Sequence, residues 1–376
     1  MEHILLSTSL AFLITFFAIP IVIQVAKDKK LFDEPDERKV HKTVIPTLGG
    51  LGIFAGFIIA TLMGVPSGIT SELQYFAAAT TVIFFLGLKD DILVLSASKK
   101  FIGQLVAAGI VIKFGGVQLN NMHGFLGIYE IPRIASIVLT IFTIIVITNS
   151  FNLIDGVDGL AGSLGVLTTL VFGIYFFFAG QLTYAVMALA LTGSIIAFLI
   201  YNFSPAKIFM GDTGSLLLGL VNSILVIKFI NIAGNVAANK FALEASPAIG
   251  FAILMIPLFD TLRVFALRIL DRRSPFSPDR THVHHFLLDL GFTHRMITFT
   301  CVTANIGFIA LAYFLRHLGT TTVIGILLVS AFAFIGIIYF SRPKNKAAGK
   351  NSMANANSII KPRKILTLAP ESVEAD

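Results

Sequence analysis

Cysteine and tryptophan are almost missing from this sequence. One cysteine, Cys301, stands inside an apolar run, and there is no tryptophan. A single thiol excludes a disulfide within the chain and any metal centre built on cysteine pairs. An aromatic belt at a membrane surface would have to be made of Phe and Tyr. Charge is scarce too: Asp, Glu, Lys and Arg make up 13% of the residues, where soluble domains hold roughly 25%. No Walker pattern occurs, so a P-loop nucleotide site is excluded. No segment repeats another, which weighs against a transporter built from duplicated halves. The apolar stretches are continuous, not alternating, which excludes a membrane β-barrel.

What is present is apolar length. Hydrophobic residues make up 56% of the chain, which predicts an all-α polytopic membrane protein. Runs long enough to span, or nearly so, give about eleven transmembrane helices, at 4–26, 47–65, 74–88, 101–114, 134–151, 160–179, 183–201, 214–230, 247–270, 297–315 and 321–340. The first run lacks a basic leader and is followed by Lys27, Lys29 and Lys30, so it reads as a retained helix. Lysine and arginine gather in alternate loops: Lys27 to Lys42, then Lys89, Lys99 and Lys100, then Lys207, then Arg268 to Arg295. The positive-inside rule puts those loops in the cytoplasm, the N-terminus outside and the C-terminus inside. Residues 1–341 form one transmembrane domain, and 342–376 read as a disordered cytoplasmic tail with a basic start.

The polar residues that remain cluster at the cytoplasmic ends of these runs. Asp90-Asp91 closes the third. Two adjacent carboxylates repel unless a cation holds them ionised. The stretch from Asn149 through Asn152 and Asp155 to Asp158 ends the fifth, and spacings of three bring Asn149, Asn152 and Asp155 near one face if the helix continues. Asp212, Thr213 and Ser215 open the eighth, either as caps or beside helix-end amides suited to an anion. Phe209 just before them could stack on a base. After the ninth run comes a loop with Arg272, Arg273, Asp279, Arg280, His282, His284 and His285. It lacks a zinc ligand set and suits phosphate, which arginine binds through paired hydrogen bonds. Asp260 and Arg263, three apart in the ninth run, read as an intrahelical pair. Carboxylates for Mg²⁺, helix-end amides and a basic loop together describe a phosphoryl-transfer site at the cytoplasmic face.

These residues carry a resemblance. Arg38-Lys39-Val40-His41 with Pro46 to Gly50, Asp90-Asp91, Asn149 to Ala161, Phe209 to Ser215 and the His-x-His-His loop are together similar to the polyprenyl-phosphate N-acetylhexosamine-1-phosphate transferases. That superfamily also holds the phospho-N-acetylmuramoyl-pentapeptide transferases. The resemblance runs from the first loop through the eleventh helix. It implies transfer of a sugar-1-phosphate from a UDP-sugar to undecaprenyl phosphate, with release of UMP, at the bacterial cytoplasmic membrane. Mg²⁺ is the implied cofactor and Mn²⁺ the alternative. By the same resemblance Asp90, Asp91 and Asp155 are the candidate catalytic carboxylates. Asp212 is the metal ligand, with Asn152 as a second. Asp158, Asn202 and Phe209 fall near the nucleoside, and His282, His284 and His285 near the diphosphate or sugar. Lys42 and Arg280 join the substrate-binding set. The form of the His loop resembles the branch using UDP-N-acetylglucosamine or another simple N-acetylhexosamine, which begins teichoic acid, O-antigen or similar polymers. The implied partners are the UDP-sugar, the lipid phosphate and the bilayer, without nucleic acid; a homodimer is left open. The alternatives are the muramoyl-pentapeptide enzyme, an ion-coupled transporter, a CDP-alcohol phosphotransferase and a non-catalytic scaffold.

Overall fold

In the computed structural model, residues 1–29, 32–33, 45–66, 72–235, 241–273 and 281–342 are described. Lys42, Arg280 and the tail from 343 onward lie outside these residues. The apolar runs all become helix. In chain order they are α1 (Glu2–Asp28), α2 (Gly49–Gly64), α3 (Leu73–Ile92), α4 (Ala97–Lys113), α5 (Arg133–Ile154), α6 (Leu160–Phe178), α7 (Leu182–Asn202) and α8 (Gly211–Ala233). Then follow α9 (Ser246–Ile253), α10 (Met255–Leu270), the short α11 (Val283–Asp289), α12 (His294–Leu315) and α13 (Thr320–Ser341). A 3-10 turn (Arg316–Leu318) and two small antiparallel ribbons complete the described structure. β1 (Phe32–Asp33) meets β2 (Ile45–Pro46), and β3 (Asn121–Phe125) meets β4 (Ile128–Glu130), with Asn121 opposite Glu130.

Seven of these helices, α1, α5, α6, α7, α8, α12 and α13, are long and apolar enough to cross a membrane, and an eighth span results if α9 and α10 count as one. The expected eleven are therefore not all of spanning length. α2 has 16 residues and α4 has 17, roughly 24–26 Å of helix against a hydrocarbon core near 30 Å. α3 has 20 residues, but its last turn carries Lys89, Asp90 and Asp91.

The run 247–270, expected as one straight span, is instead bent by 85° between α9 and α10. Proline explains the position. The ring of Pro257 conflicts with the carbonyl four residues back, that of Ile253, the last residue of α9. The freed groups are then satisfied by one side chain. Asn305 on α12, fully buried, donates from Nδ2 to the Ile253 carbonyl (2.9 Å) and accepts at Oδ1 from Ile256 N–H (2.9 Å).

α8 is the axis of the bundle. Every residue from Thr213 to Ile227 is buried, so no side of the helix is open over these roughly four turns, as befits a helix enclosed by protein. Its neighbours reach its backbone through glycine. A Cβ on Gly87 of α3 would lie 2.5 Å from Thr213 Cα, and one on α8's own Gly219 would lie 2.5 Å from Thr148 Cα of α5. Small residues at crossings are the usual means of close approach between apolar helices. Cys301, on α12, is buried at 1% exposure.

At one end of the bundle Glu72, at the start of α3, accepts from Tyr184 Oη of α7 and from Lys228 Nζ of α8, the latter at 3.2 Å. At the other end lie the C-termini of α3, α5 and α10 and the N-termini of α4 and α8. The polar residues singled out above fall there.

Candidate active site

Asp91 comes at the end of α3 and meets the N-terminus of α8. Its Oδ1 accepts from Asp212 N–H (2.7 Å), and its Oδ2 from Thr213 N–H (3.0 Å) and Thr213 Oγ1 (2.5 Å). A carboxylate there satisfies amides that have no partner within the helix and complements its dipole. Gly211 makes the approach feasible: its φ is +70°, and a Cβ would lie 2.7 Å from Asp91 Oδ2. The loop before α2 docks alongside. Phe209 N–H donates to the Pro46 carbonyl (2.7 Å), Gly49 N–H to Phe209 (2.9 Å) and Gly50 N–H to Met210 (2.9 Å). The expected caps Asp212, Thr213 and Ser215 thus do not close α8 themselves; Asp91 from another helix does.

Asp90 turns the other way. Its Oδ1 accepts from Leu95 N–H (2.6 Å), and its Oδ2 pairs with Lys100 Nζ from α4. The same ammonium reaches Asp212 Oδ2 at 2.6 Å, so Lys100 bridges two carboxylates. Asp212 Oδ1 accepts from Asn152 Nδ2 (2.8 Å), which also reaches Ser215 Oγ (3.0 Å).

A cavity of about 490 Å³ opens beside this network. Lys100 and Gln104 of α4, Asn149 and Asn152 of α5, Asp155 just after it, Phe265 and Arg268 of α10 and the three histidines line it. The three residues grouped by their spacing of three, Asn149, Asn152 and Asp155, all line the cavity. Asp155 lies beyond the last turn of α5. Burial, together with the nearby Asp212, Asp91 and Asp158 carboxylates, pushes its carboxyl well above the usual range. Such crowding of acids at a cavity marks a place where positive charge stabilises the ionised state.

The histidine wall is built from below by α10. Asp260, buried, accepts at Oδ2 from His282 (Nδ1, 2.8 Å) and at Oδ1 from Val283 N–H (3.0 Å) and Arg263 (2.8 Å). Arg263 also donates to the Thr281 carbonyl. The intrahelical pair read from the sequence is present, and it has a second task, holding the start of α11. His282 and His284 stack with ring centroids 5.6 Å apart and nearly parallel planes. His284 lies over Gly156, where a Cβ would sit 3.0 Å from its Nε2.

Three expected substrate contacts do not line this cavity. Asp158 is buried, pairs with His294 Nδ1 (3.2 Å) and accepts from Ala206 N–H (3.1 Å). Asn202, also buried, accepts from Gly159 N–H (2.9 Å) and donates to the Ile208 carbonyl (2.9 Å). Both hold the turns around the site. Phe209 is partly buried, its backbone paired with the loop before α2. In their stead the cavity presents Lys100, Gln104 and Arg268. Sequence reasoning counted the two cations as topology signals and did not single out Gln104 at all. Their one signal was position, near the ends of helices that already carried carboxylates or amides at the same face.

Among the described residues no three His, Cys, Asp or Glu side chains converge as a ready metal cage. Mg²⁺ commonly takes one or two protein carboxylates and completes its shell with water and phosphate. Asp212 carries carboxylate oxygens and Asn152 an amide oxygen, the donor type this ion takes, and the two side chains are neighbours, Asn152 Nδ2 donating to Asp212 Oδ1 at 2.8 Å.

The chain is similar to known proteins of one family. The profile described as glycosyl transferase family 4 matches residues 73–230, which covers α3 through most of α8. A "Probable undecaprenyl-phosphate N-acetylglucosaminyl 1-phosphate transferase" of Bacillus subtilis is 36% identical over 304 residues, 79% of this chain and 80% of that protein. The decaprenyl-phosphate N-acetylglucosaminephosphotransferase of Mycobacterium leprae is 34% identical over 311 residues, 76% and 77% of the two chains. The undecaprenyl-phosphate alpha-N-acetylglucosaminyl 1-phosphate transferase of Salmonella typhi is 29% identical over 334 residues, 86% and 88%.

Proposed function

Because the chain belongs to glycosyl transferase family 4, as a multi-pass membrane protein, we propose that it transfers N-acetylglucosamine-1-phosphate from UDP-N-acetylglucosamine to undecaprenyl phosphate. UMP is released, and the lipid product starts a cell-envelope polysaccharide. The observation that carries this reading is the cavity shared by Asp155, Asn152, Lys100, Arg268 and the histidines, beside a carboxylate network suited to Mg²⁺. The relatives' names supply the sugar and the lipid class. The site faces the cytoplasm, with the N-terminus outside and the C-terminus inside, on the lysine and arginine bias of the loops.

The acceptor is itself a phosphate. With a second pKa near 6, it is largely a dianion at neutral pH and needs little help to attack. Its oxygen bonds to the β-phosphorus of the UDP-sugar, and the bond from that phosphorus to the bridging oxygen breaks, freeing UMP. Asp212 and Asn152 would hold Mg²⁺, which when bound supplies positive charge against the diphosphate. Arg268 and Lys100, both on the cavity wall, add fixed positive charge. Of the three candidate catalytic carboxylates, Asp90 is occupied by Leu95 and Lys100, and Asp91 by α8. Asp155 faces the cavity and is the better placed of the three to take a residual proton.

Purified protein, undecaprenyl phosphate and one UDP-N-acetylhexosamine at a time, with the lipid product weighed by mass spectrometry, tests the reaction. Transfer from the N-acetylglucosamine donor is expected. Product only from UDP-N-acetylmuramoyl-pentapeptide would move the chain to the other branch. Labelled UMP incubated with enzyme and UDP-sugar, all lipid phosphate removed, should stay out of the sugar nucleotide; exchange at the turnover rate would establish a covalent intermediate instead.

A further inference from the structure

We propose that Asp260 is a positioning residue that fixes the tautomer of His282, keeping the ring proton on Nδ1 and presenting the bare Nε2 to the cavity. The inference rests on the transferase reading only for its effect on turnover; the tautomer itself follows from the bonding around one carboxylate. Asp260 is 3% exposed and His282 5%. Oδ1 of Asp260 already receives two donors, Val283 N–H at 3.0 Å and Arg263 at 2.8 Å. Oδ2 is left for His282 Nδ1 at 2.8 Å. An ionised carboxylate has only lone pairs to offer, so the imidazole nitrogen facing it has to carry the proton. A neutral ring with its proton on Nδ1 has its lone pair on Nε2. His282 lines the cavity, so that lone pair is an acceptor for a hydroxyl or N–H of the donor substrate. His284, stacked on His282, and Arg263, which ties both Asp260 and the Thr281 carbonyl, keep the ring from turning.

The bonding also says what the near-isosteric variant does. In Asp260→Asn the two donors at Oδ1 hold the amide oxygen there. The amide nitrogen then faces His282 Nδ1 and donates to it. The ring proton moves to Nε2, and an acceptor in the cavity becomes a donor.

The test uses full-length protein in lipid nanodiscs with histidine labelled by nitrogen-15. Solid-state spectra are taken at pH 8, and the His282 signals are assigned by their loss in His282→Gln. The wild type should show a protonated Nδ1 and a bare Nε2, and Asp260→Asn the reverse. A wild-type ring protonated on Nε2 alone or on both nitrogens overturns the proposal, as does an unchanged tautomer in the variant. The wild-type spectrum decides without any variant should Asp260→Asn not fold. For turnover, Asp260→Asn should lose about 10–100-fold, the effect seen when carboxylates behind metal-bound histidines are removed. Combining it with His282→Gln should cost nothing beyond His282→Gln alone, whereas a role in folding only would make the two losses multiply. If wild-type protein turns over no UDP-N-acetylhexosamine, the transferase reading fails while the spectra still decide the tautomer.

Discussion

Asp90 and Asp91 are identical in type and adjacent in sequence, yet one meets a lysine and the other a helix end. Replacing Asp91 by Ala removes the cap from α8 and should cost about 1–2 kcal/mol of stability, read as a lower unfolding midpoint in detergent. Asp212→Asn should instead leave the fold in place and raise the Mg²⁺ concentration needed for half-maximal rate; an unchanged Mg²⁺ titration would put the metal on other oxygens. His284 gives a pH effect. Burial, with His285 beside it, pushes its imidazole down to about 3, whereas a free histidine titrates near 6.5. Between those values the unfolded chain holds a proton that the folded chain refuses, so stability is lost as pH falls through 6.5 towards 3. The loss at pH 5 is about 2 kcal/mol. His284→Gln should therefore unfold at more similar temperatures at pH 7.5 and pH 5 than the wild type does. Part of the cavity lining was legible in the sequence: the spacing of three grouped Asn149, Asn152 and Asp155, and the histidine loop joins them there. What was not legible was which side chains serve the frame. Asp158 and Asn202 carry the same chemistry as their neighbours, and only the turns they hold separate them.

The helices show where sequence reading stops. Apolar runs located every long helix, because a backbone surrounded by lipid has to satisfy its own hydrogen bonds. They did not give the number of spans, because α2, α3 and α4 are short or charged at one end yet still join the bundle. Nor did they show the bend at Leu254, although Pro257 was in view. A proline in an apolar run is a kink or a break according to what can serve the freed backbone, and here that is Asn305, far along the chain. Asn305→Leu leaves the Ile253 carbonyl and the Ile256 N–H buried without their partner. It should destabilise the protein by roughly 2–5 kcal/mol, measured by thermal unfolding; a wild-type midpoint would mean the bend satisfies itself. Gly87→Ala is the matching test at the α3–α8 crossing. The added methyl meets backbone, not a movable side chain. The shift needed should cost about 1–3 kcal/mol and displace Asp91 from α8.

Across the whole molecule, helix direction sorts the polar residues. α3, α5 and α10 end where α4 and α8 begin, and every cavity residue lies at that end, while Glu72, Tyr184 and Lys228 tie the other. Single cysteines at Lys99 and Arg273 should resist an impermeant maleimide in intact cells, and one at Asn235 should react. Labelling at Lys99 with silence at Asn235 would invert the orientation and put the site outside. The chain's own thiol prepares it for such work. Cys301 is sealed within the protein against α12's neighbours, and a thiol that solvent does not reach does not react. The native protein is thus its own blank: a fluorophore, spin label or cross-linker placed at any chosen surface position would report from that position alone, without a background of substitutions to remove native thiols.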